Sequence, residues 1–308
     1  MRFNIKLSEY NNTATVSIYG DLVGFDDDYE RKASYSAPTN KDNDELIISP
    51  FTNEVLMPIT DEIKSNDEKL DEYKSKQESL TKSIQRSKRN ISTLIRSMDL
   101  TNAYFVTLTF DKAKVDRNNF SACCSKTRNW LQNQRKRCGA DKMSFICVPE
   151  LHPQKMDAWH MHLIISNWDN IPISDSGHKD HMGRTIYNLD LWKYGFSTAI
   201  KIENDPMTSI KLSKYVTKYF TKESSMIAHN KHRYFASQNI PKPKIKKWYF
   251  ETEEEQTSIL AEIYDKGYTI VSSNHFDGFV NIDFIEMIKK GGNNCNNQTD
   301  KLSKNISN

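Results

Sequence analysis

Trp159-His160-Met161-His162-Leu163-Ile164-Ile165 is the stretch on which the reading of this chain turns. Its aromatic and β-branched content marks a strand. Positions two apart on a strand share a face, so His160 and His162 stand side by side. Upstream, Ser144-Phe145-Ile146-Cys147-Val148 reads as a second strand that ends near Pro149-Glu150. The residues between, His152 to Trp159, include Pro153 and Asp157 and suit a turn between antiparallel neighbours. Further upstream lies Tyr104-Phe105-Val106-Thr107-Leu108-Thr109-Phe110, another strand. A helix over 116–137, opened by Asp116 or Asn118 and carrying Trp130 and Leu131, joins the two. Downstream, 166–195 is rich in Asp, Asn, Ser, Gly and Pro and is expected to be an insertion-like loop. Phe196 to Ile202 alternates as a fourth strand. Asp205-Pro206 then supplies a cap and a first-turn proline for a helix running through Tyr215 to Lys222. The order β-α-β-β-(β)-α predicts an α+β domain, an antiparallel sheet with flanking helices.

The flanks divide more coarsely. Residues 1–58 form an N-terminal lead-in. Phe3, Ile5 and Leu7 alternate there, as do neighbours in Thr15-Val16-Ser17-Ile18, and Asn11-Asn12 between them admits a hairpin. The acidic and polar residues 25–46 read as loop. A long amphipathic helix is expected over 59–99. Its stripe is Ile63, Leu70, Tyr73, Leu80, Ile84, Ile91, Leu94, Ile95 and Met98, with no Gly or Pro to break it. The stripe is thin, which favours packing on the next domain over a coiled-coil dimer. The sheet domain takes 100–240, an α/β extension 241–290, and a Gly- and Asn-rich disordered tail 291–308.

Of the 308 residues, 37% are hydrophobic and 27% charged, which favours a globular class over a membrane or disordered one. No apolar run approaches the ~18–20 residues of a membrane span. The first residues lack the pattern of a signal peptide, so a cytoplasmic location is expected. Five cysteines, none in a C-x-x-C pair, argue against a zinc ribbon and for reduced thiols. The net charge is only +3, but it is unevenly spread. Residues 211–247 carry ten Lys or Arg and one acid, Glu223. Lys82, Arg86, Lys88, Arg89 and Arg96 make a second basic stretch, and Arg135-Lys136-Arg137 a third. Such segregation suits a face for a polyanion, and it also fits solvated helix faces.

Two clusters carry chemistry. His160 and His162 on one strand face, with Glu150 at the end of the neighbouring strand, form a carboxylate-plus-two-imidazole set. That set suits Mg²⁺ or Mn²⁺ and leaves open coordination positions. His152 is a substitute ligand or a nucleic-acid contact. His-x-His alone is better explained as two partly buried polar residues in a strand; Glu150 and the apolar embedding bring the metal reading level with that. The second cluster is Tyr215-Val216-Thr217-Lys218-Tyr219-Phe220-Thr221-Lys222. Tyr215 and Tyr219 are four apart, on one helix face, and Lys218 and Lys222 repeat that step on a neighbouring face. A phenol has a pKa of about 10, so a nucleophilic tyrosine needs nearby positive charge. An amphipathic helix packing its tyrosines is the plainer account of the same spacing.

Taken in order, Phe105-Val106-Thr107-Leu108-Thr109-Phe110, His160-Met161-His162 and Tyr215 to Lys222 resemble the three motifs of rolling-circle replication initiators in the HUH endonuclease superfamily. The double-tyrosine form is similar to that of small single-stranded-DNA phages and related plasmid or integrated elements. The resemblance covers roughly 85–240. Trp192 to Ile200 and Tyr234-Phe235-Ala236-Ser237 also look like the phage-type replication-associated subgroup.

The resemblance implies an RRM- or ferredoxin-like core with His160, His162 and Glu150 as ligands of a divalent metal, Mg²⁺ or Mn²⁺. It implies Tyr215 and Tyr219 as nucleophiles, and Lys218 and Lys222 as their cationic companions. Thr107 and Thr109 mark the first motif. It further implies a single-stranded or hairpin origin as substrate, a bacterial host cell, and a host DNA polymerase. A host helicase is implied as well, because no G-x-x-x-x-G-K-[ST] occurs. Arg86, Lys88, Arg89, Arg96, Lys211, Lys214 and Arg233 are expected to hold backbone phosphates, and Trp159, Tyr234 and Phe235 to stack on splayed bases. A single-stranded-DNA transposase or a mobilisation relaxase uses the same chemistry. A non-catalytic nucleic-acid-binding module predicts the basic and aromatic residues without the metal set and tyrosine pair.

Overall fold

The computed structural model describes residues 2–23, 47–48, 55–56, 66–139, 141–152, 158–219, 233–277 and 281–290. The expected tail 291–308 and the expected loop over 25–46 lie outside these residues.

The strand through the two histidines is β7 (Trp159–Ser166), with β5 (Ala103–Leu108) on one side and β6 (Ser144–Leu151) on the other, both antiparallel. Its alternation decides the layering. Trp159, Met161, Leu163 and Ile165 join one core, and Ile164 joins another. The first core is closed by α2 (Phe120–Cys138), through Phe120, Cys123, Cys124, Trp130 and Leu131. Asn119 caps that helix, accepting from the Ala122 N–H. The second core is closed by α1 (Asn66–Ser97), through Ile84, Ile91 and Ile95, and by α3 (Pro206–Val216), through Val216 and Leu212. The thin stripe of α1 thus packs on the sheet.

The remaining strands of this sheet are β8 (Ile173–Lys179), β9 (Thr185–Leu189), β10 (Ser197–Ile202) and β11 (Phe235–Ala236). The order is β11-β6-β7-β5-β10-β9-β8. Its four central strands, β6-β7-β5-β10, have the split β-α-β arrangement, with β7 inserted between the two strands that α2 connects. This is an α+β fold with helices flanking an antiparallel sheet, as the element order predicts. Two details differ. The segment 166–195 is no plain loop, because β8 and β9 form a hairpin on the sheet's outer edge. Trp159 is 1% exposed and packs edge-on against Phe120 at 4.8 Å, so it fills core and offers no face to a base.

A second sheet joins the two ends of the chain. β1 (Phe3–Glu9) and β2 (Thr13–Val23) form the expected hairpin. They lie in the order β12-β1-β2-β14-β13 with β12 (Lys244–Trp248), β13 (Tyr268–Phe276) and β14 (Ile282–Lys289). The helix α4 (Glu253–Asp265), opened by a Thr252–Glu255 capping box, packs Ile259, Leu260 and Ile263 into that sheet's core. The lead-in and the C-terminal extension are therefore one structural unit. A small pairing of β3 (Ile47–Ile48) with β4 (Val55–Leu56) completes the described strands. No helix among the described residues is long and apolar enough to cross a membrane.

Candidate active site

On the α1/α3 face of the central sheet, pairing sets Glu150 opposite His160, and Thr107 opposite His162. Directly opposed residues point to the same side, so all four polar side chains emerge together. The His162 ring is held on three sides. Its Nε2–H donates to Glu150 Oε2 at 2.7 Å. That leaves Nδ1 to accept from the Thr107 hydroxyl at 3.3 Å. Phe105 stacks on it, with centroids 6.0 Å apart and planes 16° from parallel.

Tyr215 meets the same Phe105 ring T-shaped, with centroids 5.5 Å apart. It is 45% exposed. Phe105 thus touches both the histidine of the His162–Glu150 pair and the exposed phenol. His160 is half-buried, with its ring edge-to-face on His152 at 4.9 Å. Burial, reinforced by His152, His162 and Arg117 and opposed by Glu150, pulls its pKa down to about 4. The ring is neutral near pH 7 and keeps a lone pair for a ligand.

Of the expected ligand set, Glu150 and His162 converge, while His160 shares their face but rests on His152. Among the described residues no group of three or more His, Cys, Asp or Glu is arranged around one point. The donor set nonetheless suits a hard divalent ion, since one carboxylate and one imidazole already point at each other from adjacent strands.

The expected tyrosine face changes. Asp205 caps α3, accepting from the Thr208 N–H at 3.0 Å, with Pro206 at the first position as expected. The α-helix, however, ends at Val216 and tightens into a 3-10 turn over Thr217–Tyr219. The Thr217 hydroxyl donates back to the Lys214 carbonyl at 2.9 Å, a local bond that competes with helix continuation. The four-residue α-helical step from Tyr215 to Tyr219 is therefore not kept. Lys218 is exposed on the 3-10 turn, and Lys222 lies outside the described residues.

The basic residues separate into two groups. Arg86, Arg89 and Lys211 are exposed, and Lys88 is partly so. Arg96 is 3% exposed and cannot meet a phosphate. It donates to Thr13, to the Ala14 carbonyl and to Glu286. Lys214 is drawn to Glu286 at 2.6 Å, and Arg233 donates to Ser83 at 2.7 Å. Tyr234 and Phe235 are partly buried against the two cores, with the Arg128 guanidinium 4.7 Å from the Phe235 ring centre.

Just beyond β5, Thr109 is clamped to Phe196, the residue before β10. There the Thr109 N–H donates to the Phe196 carbonyl at 2.9 Å, and the Phe196 N–H donates to the Thr109 hydroxyl at 3.0 Å. The Trp192 indole N–H donates to the Thr109 carbonyl at 3.1 Å. Gly195 approaches that carbonyl so closely that an added Cβ would collide with backbone. Gly195→Ala should therefore cost about 1–3 kcal/mol, read as a lower urea midpoint with an unchanged m-value. A midpoint equal to that of the unsubstituted chain would show that the clamp yields freely. The sequence signal for this clamp is Thr109 in the first motif; nothing in the sequence marks Phe196 as its partner.

Residues 103–224 match the model of a family described as replication-associated proteins of the ORF2 type. The matched stretch begins at β5 and includes Glu150, His160, His162, Tyr215, Tyr219 and both motif lysines. It supports a replication-initiator-like protein with a role in DNA replication. No curated protein and no solved structure matches the chain.

Proposed function

We propose that this chain initiates rolling-circle replication by nicking and rejoining one DNA strand through a 5′-phosphotyrosine. The observation that carries the reading is the arrangement around Phe105. That ring stacks on the His162 of the Glu150–His162 pair and meets the exposed Tyr215 ring T-shaped, within the stretch that matches the replication-associated family.

The Tyr215 oxygen attacks the scissile phosphorus, and the bond to the 3′-oxygen breaks. The strand is left with a free 3′-OH, and the phenol proton passes to solvent. The phosphodiester energy is kept in the tyrosyl ester, so rejoining needs no ATP. Phe105 contacts both the phenol ring and the His162 ring, and Thr107 fixes the orientation of that imidazole. Lys218, one turn on, offers positive charge to the phosphate. Glu150, His162 and His160 would hold a divalent ion, Mg²⁺ or Mn²⁺, which supplies Lewis-acid polarisation of a phosphate oxygen. Tyr219, with Lys222 further on in the same motif, would take the second transfer, attacking the regenerated junction so that the released strand closes.

The substrate is a single-stranded or hairpin origin, copied by a host polymerase behind a host helicase in the bacterial cytoplasm. Exposed Arg86, Lys88, Arg89 and Lys211 would hold its backbone in a salt-sensitive way.

The test is direct. The protein is incubated with Mn²⁺ and single-stranded origin DNA, and the products are run on a denaturing gel. A covalent protein–DNA band that falls at least about ten-fold with EDTA, and likewise in His160→Ala plus His162→Ala, is expected. A band indifferent to EDTA and to both histidines would remove the metal from the mechanism. The absence of any band under all conditions would remove the nicking activity.

A further inference from the structure

Beside His160 the end of the sheet opens into a cleft of about 670 Å³. Phe196, Lys112, Lys114, Arg117, His152 and His160 line it. Phe196 is 86% exposed, an unusual state for a phenylalanine in a clamped backbone. Its own N–H and C=O are both engaged by Thr109, and Gly195 lies against the Thr109 carbonyl. The ring therefore projects from a rigid mount.

The backbone that carries the three lining cations is also held. The turn carrying Lys112 and Lys114 is closed on Asp111, whose carboxylate accepts from the Ala113 N–H at 3.0 Å. The Asp111 carbonyl accepts from the Lys114 N–H at 2.9 Å. The Arg117 carbonyl accepts from the Trp159 N–H at 3.0 Å, tying that residue to the first position of β7. An exposed aromatic face beside three cations matches one chemistry closely: a nucleotide of a single strand, base on the ring and phosphate on the cations. A duplex keeps its base faces stacked internally and offers only its backbone.

We propose that this cleft is a single-stranded-DNA subsite, in which one base stacks on Phe196 while Lys112, Lys114 and Arg117 hold the adjoining phosphates. The proposal rests on the nicking reading only for the assignment of that strand as substrate. The cleft abuts His160, so a strand seated in it leads toward Glu150, His162 and Tyr215.

The test uses the full chain in EDTA, where no cleavage interferes, and measures anisotropy of a fluorescein-labelled thymidine oligonucleotide against a labelled duplex. Phe196→Ala should weaken single-strand binding roughly five- to a hundred-fold and leave duplex binding unchanged. Phe196→Trp should keep the affinity, and its emission should be quenched as the oligonucleotide is added. Lys112→Ala plus Lys114→Ala should flatten the salt dependence of single-strand binding. Thermal melting checks that the Phe196 variants fold. If the unsubstituted chain does not bind the oligonucleotide, or Phe196→Ala binds it equally well, the subsite is overturned whatever the nicking assay shows. If the Phe196 effects appear and no covalent band ever forms, the subsite stands and the nicking reading falls.

Discussion

Tyr215→Phe should reduce the covalent protein–DNA band formed at Tyr215 by roughly a thousand-fold or more, because it deletes the attacking atom. Little else changes. The phenylalanine ring keeps the edge contact with Phe105, and Tyr215 is 45% exposed, so no buried cavity opens. Its effect on stability should stay within about 0.5 kcal/mol. Peptide mapping of the band separates the two tyrosines. In the single variant any residual band maps to Tyr219, and in Tyr215→Phe plus Tyr219→Phe none remains. A double variant that still forms the band at the original rate would show that neither phenol is the nucleophile. The Phe105 contact gives a second reading. Phe105→Ala leaves both oxygens in place but frees the Tyr215 and His162 rings, so it should slow band formation while leaving the mapped site unchanged.

The parts of this site that could be read in advance are those set by local period. β5, β6, β7 and β10 follow from alternating aromatic and β-branched residues, and the start of α3 follows from Asp205-Pro206. The placement of Glu150 opposite His160 needs only β6 and β7 as antiparallel neighbours, and the bond to His162 is made on the diagonal. Non-local pairing left no such trace. β1 and β2 pair with β12 and β14 across more than two hundred residues of chain, which no short window reveals. β8, on the sheet edge, is largely exposed and polar after Ile173, so the hairpin it makes with the short β9 reads as loop. Arg96 is one of several basic residues along α1, and only tertiary contact separates it from exposed Arg86 and Arg89. In the sequence Phe196 is the first residue of an alternating strand. Its exposure comes from the Thr109 clamp, which holds it just outside the strand's end.

Glu286→Ala should destabilise the protein by about 3–5 kcal/mol, the largest loss expected from a single side chain outside the hydrophobic cores. Glu286 sits on β14 of the second sheet and is 4% exposed. It accepts from Arg96 on α1 at 3.4 Å, from Lys214 on α3 at 2.6 Å and from Ser272 on β13 at 2.8 Å. Removing it strands the Arg96 guanidinium, which is buried between Thr13, the Ala14 carbonyl and the Tyr10 ring 4.5 Å away. A buried cation without its counter-charge costs more than the lost pair itself contributed. The same carboxylate gives the chain a pH signature. Burial alone would raise its pKa, but hydrogen bonds from Lys214 and Ser272, with the charges of Lys214 and Arg96, bring it below the ordinary 4.5. A carboxylate depressed in the folded state contributes its full stabilisation above the ordinary value and loses it as pH falls through the depressed one. Urea midpoints of the unsubstituted chain should therefore drop below about pH 4.5, and those of Glu286→Gln should drop less steeply. Parallel pH curves for the two proteins would show that Glu286 titrates normally and that the link is weak. The link also reaches the proposed chemistry, because Lys214 immediately precedes Tyr215. A carboxylate on the second sheet thus grips the helix turn that presents the phenol. Glu286→Gln, folded at pH 7, should consequently slow formation of the covalent band at Tyr215 without abolishing it.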